Sequence, residues 1–76
     1  MRALGKVVKA ADGRLRAVTL DDEAWLALGL IAGQHAIVVP GDDVFAGEVV
    51  VDRATGERVV LTSAKLRGTH ALVKRP

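Results

Sequence analysis

The sequence predicts a mostly β fold, a small barrel with one short helix that is built from two degenerate repeats. Short apolar segments alternate with turn dipeptides, of which Asp12-Gly13 and Pro40-Gly41 are the clearest. Only one segment combines the start and stop signals of a helix. The heptapeptide GQHAIVV at 33–39 returns as GTHALVK at 68–74 with four of seven residues identical, which points to an internal repeat.

The first hairpin is predicted from strands at 3–10 and 14–20, which flank the turn dipeptide Asp12-Gly13. Alternate side chains of a strand share a face, so the two arginines of the second strand point to the same side. The first strand adds two lysines. The hairpin is therefore expected to carry a basic side, whose members are Lys6, Lys9, Arg14 and Arg16.

A helix is predicted from Asp22 to Leu28. The acidic residues at 21–23 suit its start, because an N-cap and first-turn carboxylates stabilise the positive end of a helix. Gly29 supplies the left-handed residue that ends many helices. Trp25 lies three residues before Leu28, so the two share the face that we expect to be buried. We interpret the acidic residues as capping groups rather than catalytic ones.

The rest of the chain is predicted to contain four more strands, at 35–39, 47–52, 57–63 and 69–74. Two of them include continuous apolar runs, Val49-Val50-Val51 and Val59-Val60-Leu61. Such runs are typical of strands that are covered on both sides, either inside a barrel or under a partner chain.

Spacing favours two repeat halves, 3–40 and 47–75, within a single domain of residues 1–76. Gly5 precedes Gly47 by 42 positions, whereas the two heptapeptides lie 35 positions apart. The net difference of seven arises between the hairpin turn and the last strand, where the first half spends 20 residues (Gly13 to Gly33) and the second 12 (Gly56 to Gly68). The missing piece is about the size of the predicted helix. Each half is therefore expected to contain a hairpin, a connection and a strand, with a helix in the first connection only.

Composition indicates a small binding or assembly protein. Apolar residues make up 50% of the chain, more than a domain this small can bury, so we expect a homo-oligomer. The net charge of +2 permits contact with phosphate without requiring it. The absence of cysteine fits a cytoplasmic protein. The uncharged stretch 24–39 is too short and too interrupted by glycine to span a membrane, and no signal peptide is expected.

The segment LDDEAWLALGLIAGQ at 20–34 resembles the L-D-x-E…L-G-L-x-x-G-D segment of cradle-loop barrels. This group includes the double-psi barrels and the swapped-hairpin DNA-binding proteins of the AbrB/MazE type. The resemblance implies a hairpin that leads into a short helix, followed by a strand that crosses the barrel. A double-psi barrel contains two such units. The segment GKVVKAADGRLRAVTL at 5–20 is similar to the basic hairpin with which AbrB-like dimers contact DNA.

Two functional hypotheses follow. The first is a non-enzymatic DNA-binding transcription regulator or antitoxin, in which the basic hairpin contacts the phosphates of double-stranded DNA. The same basic residues are also compatible with a solvated strand face. The second is a structural, assembly or adaptor protein that acts through apolar oligomer interfaces, which the valine-rich strands favour.

Other site chemistry is weakly represented in the sequence. A small anion at the helix N-terminus would compete with the acidic residues already there. His35 and His70 occupy equivalent positions of the repeat, but two histidines are fewer than a zinc site normally requires. Ser63 is the only serine, and no nucleophile elbow surrounds it. We therefore predict no catalytic residue, no metal site and no cofactor.

Overall fold

Six β-strands close into an antiparallel barrel, and one short helix lies between the second and third strands. The computed structural model describes residues 1–76. The elements are β1 (Arg2–Lys9), β2 (Leu15–Thr19), α1 (Asp22–Leu28), β3 (His35–Val39), β4 (Phe45–Val51), β5 (Arg58–Thr62) and β6 (His70–Lys74). Around the barrel the order is β1-β2-β5-β4-β3-β6. The prediction of a mostly β barrel with one short helix is confirmed, and this architecture is compatible with a cradle-loop barrel.

Helix α1 begins and ends at the residues that the capping signals predict. The carboxylate of Asp21 accepts a hydrogen bond from the backbone N–H of Ala24 at 2.8 Å, which satisfies one free donor of the first turn. Gly29 has a φ of 64°, and its N–H donates to the carbonyls of the last turn. Trp25 and Leu28 are the buried residues of the helix, as expected from their spacing.

The first hairpin is close to its predicted bounds, and its turn is fixed by a side chain. The register of β1 against β2 shifts between Val8 and Lys9, where a bulge adds twist at the end of the strand. The Asp12 carboxylate accepts hydrogen bonds from the Arg14 backbone N–H at 3.0 Å and from Arg16 Nε at 2.9 Å. The turn is therefore held in one conformation by a single acidic side chain.

Valines fill the barrel interior. Five strands each contribute one valine that is 0% exposed, and these are Val18, Val38, Val49, Val60 and Val73. The remaining strand, β1, places Gly5 against Val18 so closely that a Cβ at this position would overlap the valine side chain. Leu30 and Leu66, one from each long connection, complete the core with 2% and 1% exposure.

The strand registers follow the offsets that relate the two halves of the sequence. Val7 pairs with Val18 and Val49 pairs with Val60, an offset of 42 in both strands. Gly5 pairs with Ala71 and Gly47 with Ala36, which combines the offsets of 42 and 35. The duplication itself stays a prediction, and the registers are compatible with it.

Candidate functional site

The connection between β5 and β6 packs against the first hairpin. The backbone N–H of Leu66 donates to the carbonyl of Leu15 at 2.7 Å, and the N–H of Val7 donates to the carbonyl of Thr69 at 2.8 Å. Leu66 is 1% exposed, so its side chain anchors the connection in the core. The residues between these contacts are consequently held beside the hairpin rather than free in solvent.

This packing forms a cationic cleft of about 360 Å³, which is lined by Lys9, Gly13, Arg14, Leu15 and Lys65. Three of its five residues are cationic and none is acidic. The only ion pair in the protein joins two other residues, so Lys9, Arg14 and Lys65 have no carboxylate within 4.0 Å. Three exposed cationic residues therefore border one cleft, and an anion bound there would be attracted by all of them.

Arg16 lies on the hairpin, but its side chain forms hydrogen bonds within the fold. Its Nε donates to Asp12 Oδ2 at 2.9 Å, and its Nη1 donates to the carbonyl of Thr62 at 3.3 Å. Hydrogen bonds from the Arg14 backbone and from the Arg16 side chain hold the pKa of Asp12 below its usual value. Of the predicted hairpin cations, Arg16 is therefore the one that is already neutralised within the fold.

Lys6 lies apart from the cleft. It is exposed in the middle of β1, where it pairs with Thr19 on one side and with His70 on the other. Of the four predicted phosphate-contacting residues, the structure places Lys9 and Arg14 in the cleft and the other two outside it.

Lys65 was missed by the sequence reasoning, which treated its segment only as a short connection. It also lines a second cleft of about 370 Å³ with Arg67, Asp43 and the partly exposed ring of Phe45. The two basic residues, Lys65 and Arg67, are the only indication in the sequence that this connection contributes to a cationic surface. Placing them beside the hairpin requires the closed barrel, because Lys65 lies about 50 positions from Arg14 in the chain.

The two histidines do not form a site. His35 and His70 begin neighbouring antiparallel strands, so they lie at opposite ends of this pair. The register separates them by about 20 Å along the strands. No group of three or more His, Cys, Asp or Glu side chains is placed to hold a metal ion.

Comparison with protein-family models, with curated proteins and with solved structures finds no match to this chain. The seven-residue α1 is the only helix, and it is too short to cross a membrane.

Proposed function

We propose that the protein is a non-enzymatic DNA-binding protein that contacts the phosphates of double-stranded DNA through the cationic cleft. The observation that supports this most directly is the presence of Lys9, Arg14 and Lys65 in one cleft, with none of them in an ion pair. Two of these residues lie on the basic hairpin, the element that AbrB-like regulators and antitoxins use against DNA. The third comes from a different part of the chain, which gives the cleft two walls.

Cations of this kind bind DNA largely through counterion release. Each neutralised phosphate changes the slope of log K against log salt by about −0.9, so three contacts give a slope of about −2.7. Affinity should then fall about 40-fold between 50 and 200 mM salt. The cleft contains no Asn or Gln that would read adenine, and the proposal assigns its lysines and its arginine to phosphates.

The test is a titration of the protein into a short labelled DNA duplex at 50 and 200 mM salt, followed by fluorescence anisotropy. Lys9→Glu/Arg14→Glu should lower the affinity by more than about tenfold at the lower salt and reduce the salt slope by about 2. Far-ultraviolet circular dichroism of each variant checks that the barrel remains folded.

The matched control is Arg2→Glu/Lys74→Glu, which changes the net charge by the same amount. These residues pair with each other about 23 Å along β1 from Lys9, and both are exposed. The control should retain most of the wild-type affinity. Equal losses in both double variants would contradict the cleft, and salt-insensitive binding or no binding by the wild type would contradict DNA binding altogether.

An assembly role is the second candidate function. It is favoured by exposed apolar side chains, among them Val51, which is 51% exposed at the end of β4. Exposed apolar side chains mark a contact surface where they are contiguous.

A further inference from the structure

Four neighbouring strands, β1, β2, β5 and β4, carry apolar side chains on their outer surface as well as inside the barrel. The inner residues Val18, Val49 and Val60 alternate with outward-pointing ones. We call this surface the outer apolar face, and its members are Val8, Ala17, Val50, Val59 and Leu61. These residues explain why the apolar runs in the sequence are continuous: alternate residues face the barrel interior and the outer surface.

The outer apolar face is concave. The ends of the two hairpins rise on either side of Ala17, Val59 and Leu61 and enclose a groove of about 310 Å³. Ala17 and Val59 are 1% and 5% exposed, although neither belongs to the core cluster. The groove therefore has an apolar floor that is separate from the barrel interior.

Opposite charges mark the two edges of this face. Lys6 lies on β1 beside Thr19, and Glu48 lies on β4 beside Leu61. Both side chains are exposed, and neither has an ion-pair partner in the chain. Three strand spacings separate the two edges, which is about 14 Å. Lys6 and Glu48 occupy equivalent positions in their strands, 42 residues apart, so the face has a cation and an anion at diagonal corners.

We propose that the outer apolar face is the interface of a two-fold symmetric homodimer. A two-fold axis in the plane of the interface can exchange the β1 edge of one copy with the β4 edge of the other. Lys6 then faces Glu48 of the second copy, and the same contact is repeated at the other edge. The outer apolar face lies between the two ion pairs, and its partly exposed members Val8, Val50 and Leu61 lose their contact with water. This proposal does not rest on DNA binding, although the cationic cleft adjoins the groove: Lys9 of the cleft precedes Ala10 of the groove in the same hairpin.

A second copy fits the charges of the outer apolar face, because it brings a Glu48 to Lys6 and a Lys6 to Glu48. The apolar surface around β6 is less suitable for such a dimer. On the opposite side of the barrel, β6 exposes Lys74 between Arg2 of β1 and Ile37 of β3. Docking two copies there would desolvate the neighbouring cations Arg2 and Lys74. The folded chain also exposes 5016 Å², above the roughly 4,450 Å² expected for its 8.0 kDa. This excess is consistent with a surface that a partner covers.

The first test measures mass by light scattering over a range of protein concentrations. The wild type should approach twice its monomer mass of 8.0 kDa. Lys6→Glu and Glu48→Lys should each weaken the dimer by at least about tenfold, because each turns two attractive contacts into repulsive ones. The double variant Lys6→Glu/Glu48→Lys restores both pairs with inverted sign and should dimerise again.

Two apolar positions provide the second test. Val51→Glu places a carboxylate at the rim of the groove and should weaken the dimer, whereas Val44→Glu, before β4 and outside the face, should not. Both valines are exposed, at 51% and 63%, so neither change should unfold the barrel. A wild type that stays monomeric, a double charge swap that fails to restore the dimer, or dissociation by Val44→Glu with none by Val51→Glu would each overturn the proposal.

Discussion

The two predicted repeat halves, 3–40 and 47–75, have matching strand registers at their centres and different surroundings. In the first half Val7 pairs with Val18, in the second Val49 pairs with Val60, and Val18 and Val60 pair with each other. These contacts form the centre of one wall of the barrel. The two halves thus share the apolar packing that sets the fold.

The halves differ first where α1 is inserted. The guanidinium carbon of Arg58 lies 4.9 Å from the centre of the Trp25 ring, and its Nη1 donates to the carbonyl of Leu30 at 3.2 Å. The adjoining cleft also contains Asp22 and Glu57. At this end of the barrel a helix covers the strands, and carboxylates lie close to the one arginine.

At the other end the second connection has no helix. Arg16, which occupies the position equivalent to Arg58, donates to the carbonyl of Thr62 instead of stacking on an aromatic ring. The shorter connection brings Lys65 beside the hairpin and forms the cationic cleft. Strand pairing is therefore similar in the two halves, whereas the connections determine the charge and shape of each end of the barrel.

The largest expected effect on stability comes from removing the Trp25 side chain of α1. Trp25→Ala should lower the free energy of unfolding by about 3–5 kcal/mol, since it removes a large buried ring and the surface on which Arg58 stacks. That is a large part of the roughly 4–11 kcal/mol expected for a domain of this length. Urea denaturation measures the change.

Leu66→Ala tests the helix-free end of the barrel. Its cost of about 2–5 kcal/mol should be accompanied by a loss of DNA affinity, because Leu66 holds the wall of the cationic cleft. Trp25→Ala should not affect the cleft beyond the fraction unfolded. Equal effects of the two variants on DNA affinity in their folded states would contradict this division of the barrel into two ends.

A smaller effect is expected from the two equivalent glycines that face the central valines. Gly5→Ala places a Cβ against Val18 and 2.6 Å from the carbonyl oxygen of Thr19, which the backbone cannot relieve without a shift. Gly47→Ala meets Val60 at 2.7 Å, but its nearest backbone atom is 3.1 Å away. Both should cost about 1–3 kcal/mol, with Gly5 at the upper end, as overpacking does.

Gly41→Ala is the control for these substitutions. Gly41 has no positive φ, and nothing lies within 4 Å of a Cβ built on it. Chemical denaturation should place this variant close to the wild type. A Gly47→Ala variant less stable than Gly5→Ala would show that the two close contacts are not ranked by their backbone distances.

The local part of this structure could be predicted from the sequence. The bounds of α1 follow from Asp21 and Gly29, because capping depends on residues within one turn. The hairpin follows from Asp12-Gly13 and the alternating pattern beside it. The barrel follows from the continuous apolar runs, because strands of this kind are covered on both faces.

Only the hairpin residues of the candidate site could be predicted from the sequence. Lys9 and Arg14 were found because they are close in sequence on one hairpin, whereas Lys65 reaches them through the closure of the barrel. Strand alternation groups Arg16 with Arg14, whereas Lys6 joins them only because it lies on the first strand of the same hairpin. The bulge after Val8 and the hydrogen bonds of Arg16 depend on three-dimensional contacts that alternation does not encode.

The smallest expected effect concerns the two hairpin turns and their pH dependence. Since the hydrogen bonds from Arg14 and Arg16 lower the folded pKa of Asp12, its charged form stabilises the fold. This contribution is fully present above the unfolded pKa of about 3.9 and is lost as the pH falls through the lower folded pKa. The wild type should therefore be more stable than Asp12→Asn at pH 7, with a gap that closes in acid.

Asp52 provides the matched comparison in the second hairpin. Its carboxylate accepts a hydrogen bond from the backbone N–H of Ala54 at 2.9 Å, but no arginine pairs with it. Asp52→Asn keeps an oxygen acceptor and loses no ion pair, so it should change the urea midpoint at pH 7 less than Asp12→Asn does. Measuring both variants at pH 7 and again below pH 3 separates turn geometry from charge. A gap for Asp12→Asn that is the same at both pH values would mean that the carboxylate acts through shape alone, and the ionic anchor would no longer distinguish the two hairpins.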